Sequence, residues 1–307
     1  MNAHMTSPAI AWLLGLVGLA LWMLFHPRSN SVPKIVLLFL ALAIIGPITE
    51  FVMRFEAAHF PWKYDYFLYR IDETLGLSAF SLARRLSPGP HAFLFSVYES
   101  LTVASIVCYG VNLKRNGGAP NRLLIAYAVL ILVGPCMYMV VPGCGPRHAF
   151  GADFPLGHPQ VEPILVKFNG WPNAMPSLHM ASALLFVFFA GTHPALLGLA
   201  VLYLIGTIGG TLALEHYVID LIVAVPLACF VTHAVFGRVK PALFNLVGVL
   251  AWILAIRFGI SLLLASSWLL RALALVTVVW PSYHLLRTTR ATSYPSTAVS
   301  GAAKVGK

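Results

Sequence analysis

Two histidines and one carboxylate stand in a pattern that suits covalent chemistry. His216 and Asp220 are four residues apart, so on a helix they share a face and the carboxylate can hold one ring nitrogen. The other ring nitrogen then becomes more basic, which suits a nucleophile or a general base. His179 follows Pro176 and Ser177 at a predicted helix start, where free backbone N–H groups can bind an anion such as phosphate.

The elements that must position these residues are predicted to be membrane helices. Of the 307 residues, 59% are hydrophobic and only 10% are charged, whereas a soluble domain carries roughly 25% charged residues. The composition therefore predicts an all-α, polytopic integral membrane bundle. Using about 20 apolar residues per helix, we predict nine spans, at 8–26, 33–53, 91–111, 121–141, 177–192, 195–213, 216–236, 242–264 and 266–286.

These spans divide the chain into four predicted regions. Residues 1–90 contain N-terminal membrane helices and an interfacial segment, and residues 91–236 form a catalytic membrane core. Residues 237–287 contain C-terminal membrane helices, and residues 288–307 form a polar, basic tail that is predicted to be disordered. His179 and His216 lie at the starts of the fifth and seventh spans, so they can meet on one side of a bilayer.

The distribution of charge predicts which side that is. The loops on the side opposite the N-terminus, together with the C-terminal tail, contain basic residues and neither Asp nor Glu. By the positive-inside rule this side is cytoplasmic, so the candidate site faces the extracytoplasmic side of a bacterial inner or plasma membrane. The net charge of +10 then reflects topology and need not indicate nucleic acid. The basic residues are Arg28, Lys34, Lys114, Arg115, Arg122, Arg238, Lys240, Arg287, Arg290, Lys304 and Lys307.

The two histidine motifs carry a family resemblance. Pro-Ser-Leu-His at 176–179, followed by His-Tyr-Val-Ile-Asp at 216–220, resembles the second and third motifs of the type 2 phosphatidic acid phosphatase superfamily. The wording Met-Pro-Ser-Leu-His with His-Tyr-x-x-Asp is similar to the inositol phosphorylceramide synthase (inositolphosphotransferase) branch. The resemblance implies a six-helix phosphatase-like core that moves a phosphoryl group or phospho-headgroup of a lipid through a phosphohistidine. It also implies that neither a cofactor nor a metal is needed.

The resemblance also implies a role for each residue. His216 attacks phosphorus, Asp220 orients His216, and His179 protonates the leaving oxygen and then deprotonates the water or alcohol acceptor. Ser177 and adjacent backbone N–H groups bind phosphate oxygens. Arg147, between glycine and proline turns, is a further candidate because its planar fork suits a phosphoryl group. Lys167 is a candidate for another cation on the same loop.

The chain departs from the superfamily pattern at three positions in two motifs. The first motif has a Lys seven residues before its Arg, and Val140 stands there; the Pro after that Arg is replaced by His148. The third motif has an Arg six residues before the nucleophile, and Gly210 stands there. Two phosphate-binding cations are therefore missing, which favours the synthase-like branch, whose first motif is often divergent.

Polar residues outside these motifs have predicted places too. Leu68, Ile71 and Leu75 have helical spacing and indicate a short amphipathic helix on the membrane, and a packed loop with a solvated face is the preferred alternative. The segment 65–72 resembles a region upstream of the catalytic core in the synthase-like branch. Glu99 in the third span is a functional candidate, or it pairs with a basic residue of the last two spans, Arg257 or Arg271. Glu50 and Arg54 are spaced for a structural ion pair.

Four other functions remain open. A lipid phosphate phosphatase acting on phosphatidate or a polyprenyl pyrophosphate would differ from the transferase only in using water as acceptor. A zinc or iron site could be built from His148, His179, His216 and Asp220, although no metal-ligand spacing anchors it. A transporter would use the polar residues to line a path. A serine protease centred on Ser177 lacks the expected Gly-x-Ser-Gly context.

Overall fold

A computed structural model of the chain describes residues 50–77, 88–115, 122–151, 161–168, 170–190, 194–212 and 215–292. Within these residues the chain is mostly helical, with one two-stranded ribbon, which agrees with the all-α prediction. The helices are 50–59, Asp65–Leu75, Pro88–Glu99, Leu101–Arg115, Arg122–Val140, Pro146–Phe150, Leu178–Ala190, Pro194–Leu212, Val218–Val235, Val239–Phe258, Ile260–Ala265 and Ser267–Thr292. The strands Trp62–Lys63 and Val166–Lys167 pair antiparallel, with Trp62 opposite Lys167.

Three of the described helices are long and apolar enough to cross a membrane, which is compatible with a membrane protein. They are Arg122–Val140, Val218–Val235 and Val239–Phe258. Leu178–Ala190 and Pro194–Gly210 are apolar but shorter. The nine-span arrangement as a whole stays a prediction.

Several element boundaries differ from the predicted ones. The predicted span 91–111 consists of two helices divided at Ser100, and the span 242–264 is divided at Gly259. The last helix continues to Thr292, six residues beyond its predicted end, and the rest of the predicted tail lies outside the described residues. The span 8–26, and all of 33–53 except its last four residues, also lie outside them.

The helix Val218–Val235, called the Asp220 helix below, lies at the centre of the described bundle. Apart from Asp220, Thr232 and His233, its side chains are apolar on every face, and most of them are buried, as expected of a helix surrounded by others. It packs against Arg122–Val140, Leu178–Ala190, Val239–Phe258 and Ser267–Thr292. Packing against these four helices therefore fixes the position of residues in the first turn of the Asp220 helix.

Pro88–Glu99 and Pro194–Leu212, called the Tyr98 helix and the Gly210 helix, lie unusually close together. A Cβ at Gly206 would lie 2.3 Å from the side chain of Val97, and one at Gly209 would lie 2.2 Å from that of Leu94. Small residues let membrane helices approach closely, because no side chain separates the two backbones. The approach brings the last turn of the Tyr98 helix next to the last turn of the Gly210 helix.

Residues Asp65–Leu75, called the Asp72 helix, confirm the predicted helical spacing but not the predicted environment. Leu68, Ile71 and Leu75 are buried in the protein, and so are the carboxylates of Asp65 and Asp72. The segment is therefore a helix packed against the protein rather than a loop, and Arg70 lies on its solvated face. It contacts the Asp220 helix.

The basic residues of the last two predicted spans hold the Asp72 helix in place. Arg257 donates to the Tyr64 hydroxyl at 2.6 Å, and Arg271 donates to the Leu75 carbonyl at 3.0 Å. The alternative in which either one pairs with Glu99 is therefore wrong. The predicted pair between Glu50 and Arg54 is present, with the guanidinium nitrogen 2.6 Å from the carboxylate.

Candidate active site

His216 and Asp220 meet at the beginning of the Asp220 helix. Tyr217 is the N-cap residue, and Asp220 accepts a hydrogen bond from the Tyr217 N–H at 2.8 Å. The same carboxylate oxygen lies 3.5 Å from His216 Nδ1, and both side chains are buried. His216 thus precedes the helix, and the capping turn rather than a shared helical face brings it to Asp220. The predicted pairing is present, although its predicted cause is not.

Ser177 forms the start of the helix Leu178–Ala190, called the His179 helix. Its Oγ accepts a hydrogen bond from the Met180 N–H at 3.2 Å, which is an N-cap contact. Its backbone N–H donates to the Asp220 carbonyl oxygen at 3.2 Å. Ser177 therefore joins the first turn of the helix that carries His179 to the first turn of the Asp220 helix, which His216 precedes. Its hydroxyl hydrogen remains available for another acceptor.

His179 and His216 are neighbours, with ring centroids 6.1 Å apart. The two rings are inclined at 59°, with His179 in the first turn of its helix and His216 just before the Asp220 helix. Their separation leaves both histidines within reach of one small group placed between them. The predicted convergence of the two motifs is present in the fold.

A tyrosine that no motif indicated completes this cluster. The Tyr98 hydroxyl oxygen lies 3.2 Å from His216 Nε2, and the Tyr98 ring stacks on His179 with centroids 4.1 Å apart. Tyr98 is buried. It lies 118 residues before His216 in the chain, so sequence spacing held no signal for this contact, although its neighbour Glu99 was identified as an intramembrane acid.

Arg147 also lies at the site, held by the residue before His216. Its Nη1 is 3.3 Å from Glu215 Oε1, on a side chain that is about half exposed. Gly145 makes this approach possible because its φ is +87° and a Cβ there would lie 2.3 Å from the Glu215 carbonyl oxygen. His148 Nε2 lies 3.9 Å from the other Glu215 carboxylate oxygen. Arg147 is thus available to solvent and to an anion that competes with Glu215.

Lys167 lies apart from this cluster among the described residues. It is exposed on the strand Val166–Lys167 and paired with Trp62, with no contact to either histidine among the described residues.

The neighbouring strand carries Lys63, whose buried Nζ donates to the Phe60 carbonyl at 2.6 Å. Burial lowers the Lys63 pKa, and nearby Cys144 and Asp65 oppose that effect.

The Asp72 helix contains two buried acids, and both accept hydrogen bonds from residues next to the site. Asp72 accepts hydrogen bonds from the N–H groups of Val218 and Ile219 at 2.7 and 3.0 Å, so it caps the Asp220 helix. Burial raises its pKa, while these bonds oppose the rise. Sequence reasoning placed this helix but could not show that it caps another one.

Asp65 ties the Arg147 loop to the same turn. It accepts from the Cys144 N–H at 3.0 Å and from the Tyr217 hydroxyl at 2.9 Å. Burial raises the Asp65 pKa to about 7, and these hydrogen bonds oppose the rise. The positions of Arg147 and His216 therefore depend on one carboxyl group.

The chemistry of the cluster is that of an oriented imidazole. Asp220 favours a proton on Nδ1 of His216, which leaves a lone pair on Nε2. That lone pair faces only the Tyr98 hydroxyl among the described contacts of the ring. Within the described residues no three or more His, Cys, Asp and Glu side chains are grouped as metal ligands.

Comparison with known proteins shows which family the chain resembles. A family model described as the PAP2 superfamily matches residues 66–234, which is more than half of the chain and includes the entire cluster. The match begins at Tyr66, so it also covers the Asp72 helix except for Asp65. Neither a search of curated proteins nor a search of solved structures returns a match.

Proposed function

We infer the function of this protein from one premise: the chain belongs to the PAP2 superfamily. Membership indicates phosphatase or phosphotransferase activity, and it confirms the resemblance at superfamily level. We take the enzyme to be a membrane phosphotransferase that moves a phosphoryl group or phospho-headgroup of a lipid through a phosphohistidine. The inositol phosphorylceramide synthase branch remains the favoured reading of the motifs.

The observation that carries this proposal is the surroundings of His216. With Asp220 beside Nδ1, the lone pair on Nε2 is directed to attack phosphorus. As the Nε2–P bond forms, the bond between phosphorus and the leaving oxygen breaks. The carboxylate stabilises the positive charge that develops on the ring.

His179 serves as the proton donor and acceptor in this account. The His179 ring is close enough to His216 for one substrate to reach both. The phosphorus atom would lie at His216 Nε2, and the leaving oxygen would lie at His179. His179 gives a proton to that oxygen in the first step. In the second step it takes a proton from the acceptor, which attacks the phosphohistidine and releases His216.

Phosphate binding is assigned to Arg147, Ser177 and Lys167. Arg147 supports this role best, because it is half exposed and its present partner, Glu215, adjoins the nucleophile. A phosphate anion entering the site would exchange with the Glu215 carboxylate. The Ser177 hydroxyl and the N–H groups at the start of the His179 helix add neutral donors. Lys167 would have to reach the site from its strand.

The two candidate functions differ in the molecule that accepts the phosphoryl group. An alcohol acceptor gives a synthase-like phosphotransferase, and a water acceptor gives a phosphatase of lipid phosphates. Val140 and Gly210, at positions where the superfamily motifs have cations, favour the synthase-like reading. The active site is proposed to face the extracytoplasmic side, with the C-terminus in the cytoplasm.

Purified protein with labelled lipid phosphates and phospholipids, with and without alcohols, tests the proposal. A labelled alcohol product indicates a transferase, whereas labelled phosphate alone indicates a phosphatase. Full activity is expected in excess chelator, because His216 attacks phosphorus directly. Activity that chelator abolishes and zinc restores would favour a metal site instead.

A further inference from the structure

The Tyr98 hydroxyl occupies the place from which a phosphoryl group must approach His216. It lies 3.2 Å from Nε2, the nitrogen that carries the lone pair when the proton is on Nδ1, 3.5 Å from Asp220. The same ring stacks on His179 at 4.1 Å. Tyr98 thus contacts both histidines, and its contact with His216 is at Nε2, the atom that would bond to phosphorus.

Gly210 is what allows Tyr98 to be there. A Cβ at Gly210 would lie 2.3 Å from Cδ2 of the Tyr98 ring and 2.6 Å from Cγ, so any side chain there would displace the ring. Gly210 is also the position at which a motif cation is missing. An Arg at 210 and the observed position of Tyr98 exclude each other on steric grounds alone.

The backbone of Tyr98 is fixed independently of the site. The Tyr203 hydroxyl donates to the Tyr98 carbonyl at 3.3 Å, and Gly206 and Gly209 let the two helices approach around it. A residue that only filled space between these helices would not need a hydroxyl. The buried hydroxyl of Tyr98 has instead the reactive nitrogen of His216 as its partner.

We propose that Tyr98 is a catalytic residue: its hydroxyl shields His216 Nε2 in the resting site and donates to a phosphoryl oxygen when substrate is bound. This inference rests on the proposed function. During transfer the hydroxyl moves off the Nε2 lone pair as that lone pair bonds to phosphorus. Tyr98 keeps its own proton throughout, since His179 supplies the proton for the leaving oxygen. The phenol thereby stabilises phosphoryl charge without adding a cation to the site.

Tyr98→Phe isolates the hydroxyl, because the ring that stacks on His179 and packs on Gly210 is retained. Loss of a donor to a developing oxyanion typically lowers kcat by about 10²–10³-fold, and we expect kcat to fall much more than KM rises. Tyr127→Phe is the matched control. It removes a buried hydroxyl whose partners are Ser105 and Ser182, neither of which is assigned to the site, so its activity should remain that of the wild type.

A two-residue exchange tests the steric coupling. Gly210→Arg alone should be inactive because it displaces Tyr98. Tyr98→Ala with Gly210→Arg should recover activity relative to Tyr98→Ala, since the guanidinium can enter the vacated space. Thermal unfolding of each variant in detergent separates loss of fold from loss of chemistry.

Orthovanadate binding gives a readout that does not require turnover. The wild type should bind orthovanadate at least about tenfold more tightly than Tyr98→Phe, and Tyr127→Phe should bind like the wild type. Vanadate binding that depends on Tyr98 without any lipid turnover would contradict the proposed function and would leave Tyr98 as a phosphate-binding residue only. Unchanged kcat and vanadate binding in Tyr98→Phe would overturn the assignment, and so would faster turnover, which would make Tyr98 an inhibitor.

Discussion

His179 and His216 have different surroundings, and the difference predicts different responses to mutation. His216 has a carboxylate 3.5 Å from one nitrogen, whereas His179 stacks on a neutral ring. We expect His179→Ala to lower turnover of a lipid substrate by about 10²–10⁴-fold. A nitrophenyl phosphate should restore much of that loss, because its leaving group needs no proton.

His216→Ala provides the comparison for this experiment. No leaving group should rescue it, since the covalent bond itself cannot form. Asp220→Asn should fall between the two, because the ring remains but its orientation and charge are less well supported. The measurement is kcat/KM of each variant on both substrates. Equal losses for His179→Ala on the two substrates would contradict its role as the acid.

The capping contacts of Asp72 predict how its replacement changes the stability of the protein. Asp72→Ala leaves the N–H groups of Val218 and Ile219 without their carboxylate partner. We expect a loss of about 1–2 kcal/mol in stability and a lower unfolding temperature in detergent. Glu50→Ala, which removes an exposed acid from an exposed ion pair, is the control and should change little. Equal unfolding temperatures for the two variants would mean that Asp72 is not a cap.

The helix 50–59 predicts a pH dependence. Burial raises the pKa of Glu56 from 4.5 to about 7, with Lys63 opposing the rise, and neither carboxylate oxygen has a hydrogen-bond partner among the described residues. The folded protein therefore prefers the neutral acid. Its stabilising contribution is complete below pH 4.5 and is lost as the pH rises to about 7.

Glu56→Gln should remove this dependence. The difference in unfolding temperature between wild type and Glu56→Gln should change between pH 4.5 and 7 and stay constant above that range. The difference is the quantity to follow, because it cancels the titration of every group that the two proteins share. A difference that is constant from pH 4.5 to 8 would show that Glu56 titrates normally.

The arrangement of elements shows what could be predicted from the sequence. The pairing of His216 with Asp220 was predicted from their spacing, although a capping turn and not a shared helical face produces it. The helix start at Ser177 followed from the Pro-Ser signal, and the place of Arg147 followed from the glycine and proline turns beside the motifs. The contacts of Tyr98 and Asp72 did not, because each joins residues more than a hundred positions apart. The division of the third predicted span at Ser100 was missed because the apolar pattern continues across it.

At the scale of the whole molecule, orientation in the membrane is the open prediction. The loops assigned to the cytoplasm contain Lys and Arg without Asp or Glu, so Arg147, His179 and His216 should face outward. Gly157→Cys, in a chain whose exposed Cys136 is replaced, should react with an impermeant thiol reagent in intact cells. Labelling only after the membrane is broken would reverse the topology.

The central claim is that phosphate becomes bonded to His216. The most direct measurement is acid-labile, base-stable phosphate trapped on the protein when turnover of a labelled substrate is stopped rapidly. Wild type should carry the label, His216→Ala should carry none, and His179→Ala should still carry it with a nitrophenyl phosphate. If His216→Ala retains the trapped phosphate and His179→Ala loses it, the two roles are reversed. If no variant and no wild-type sample carries it, the covalent mechanism is wrong.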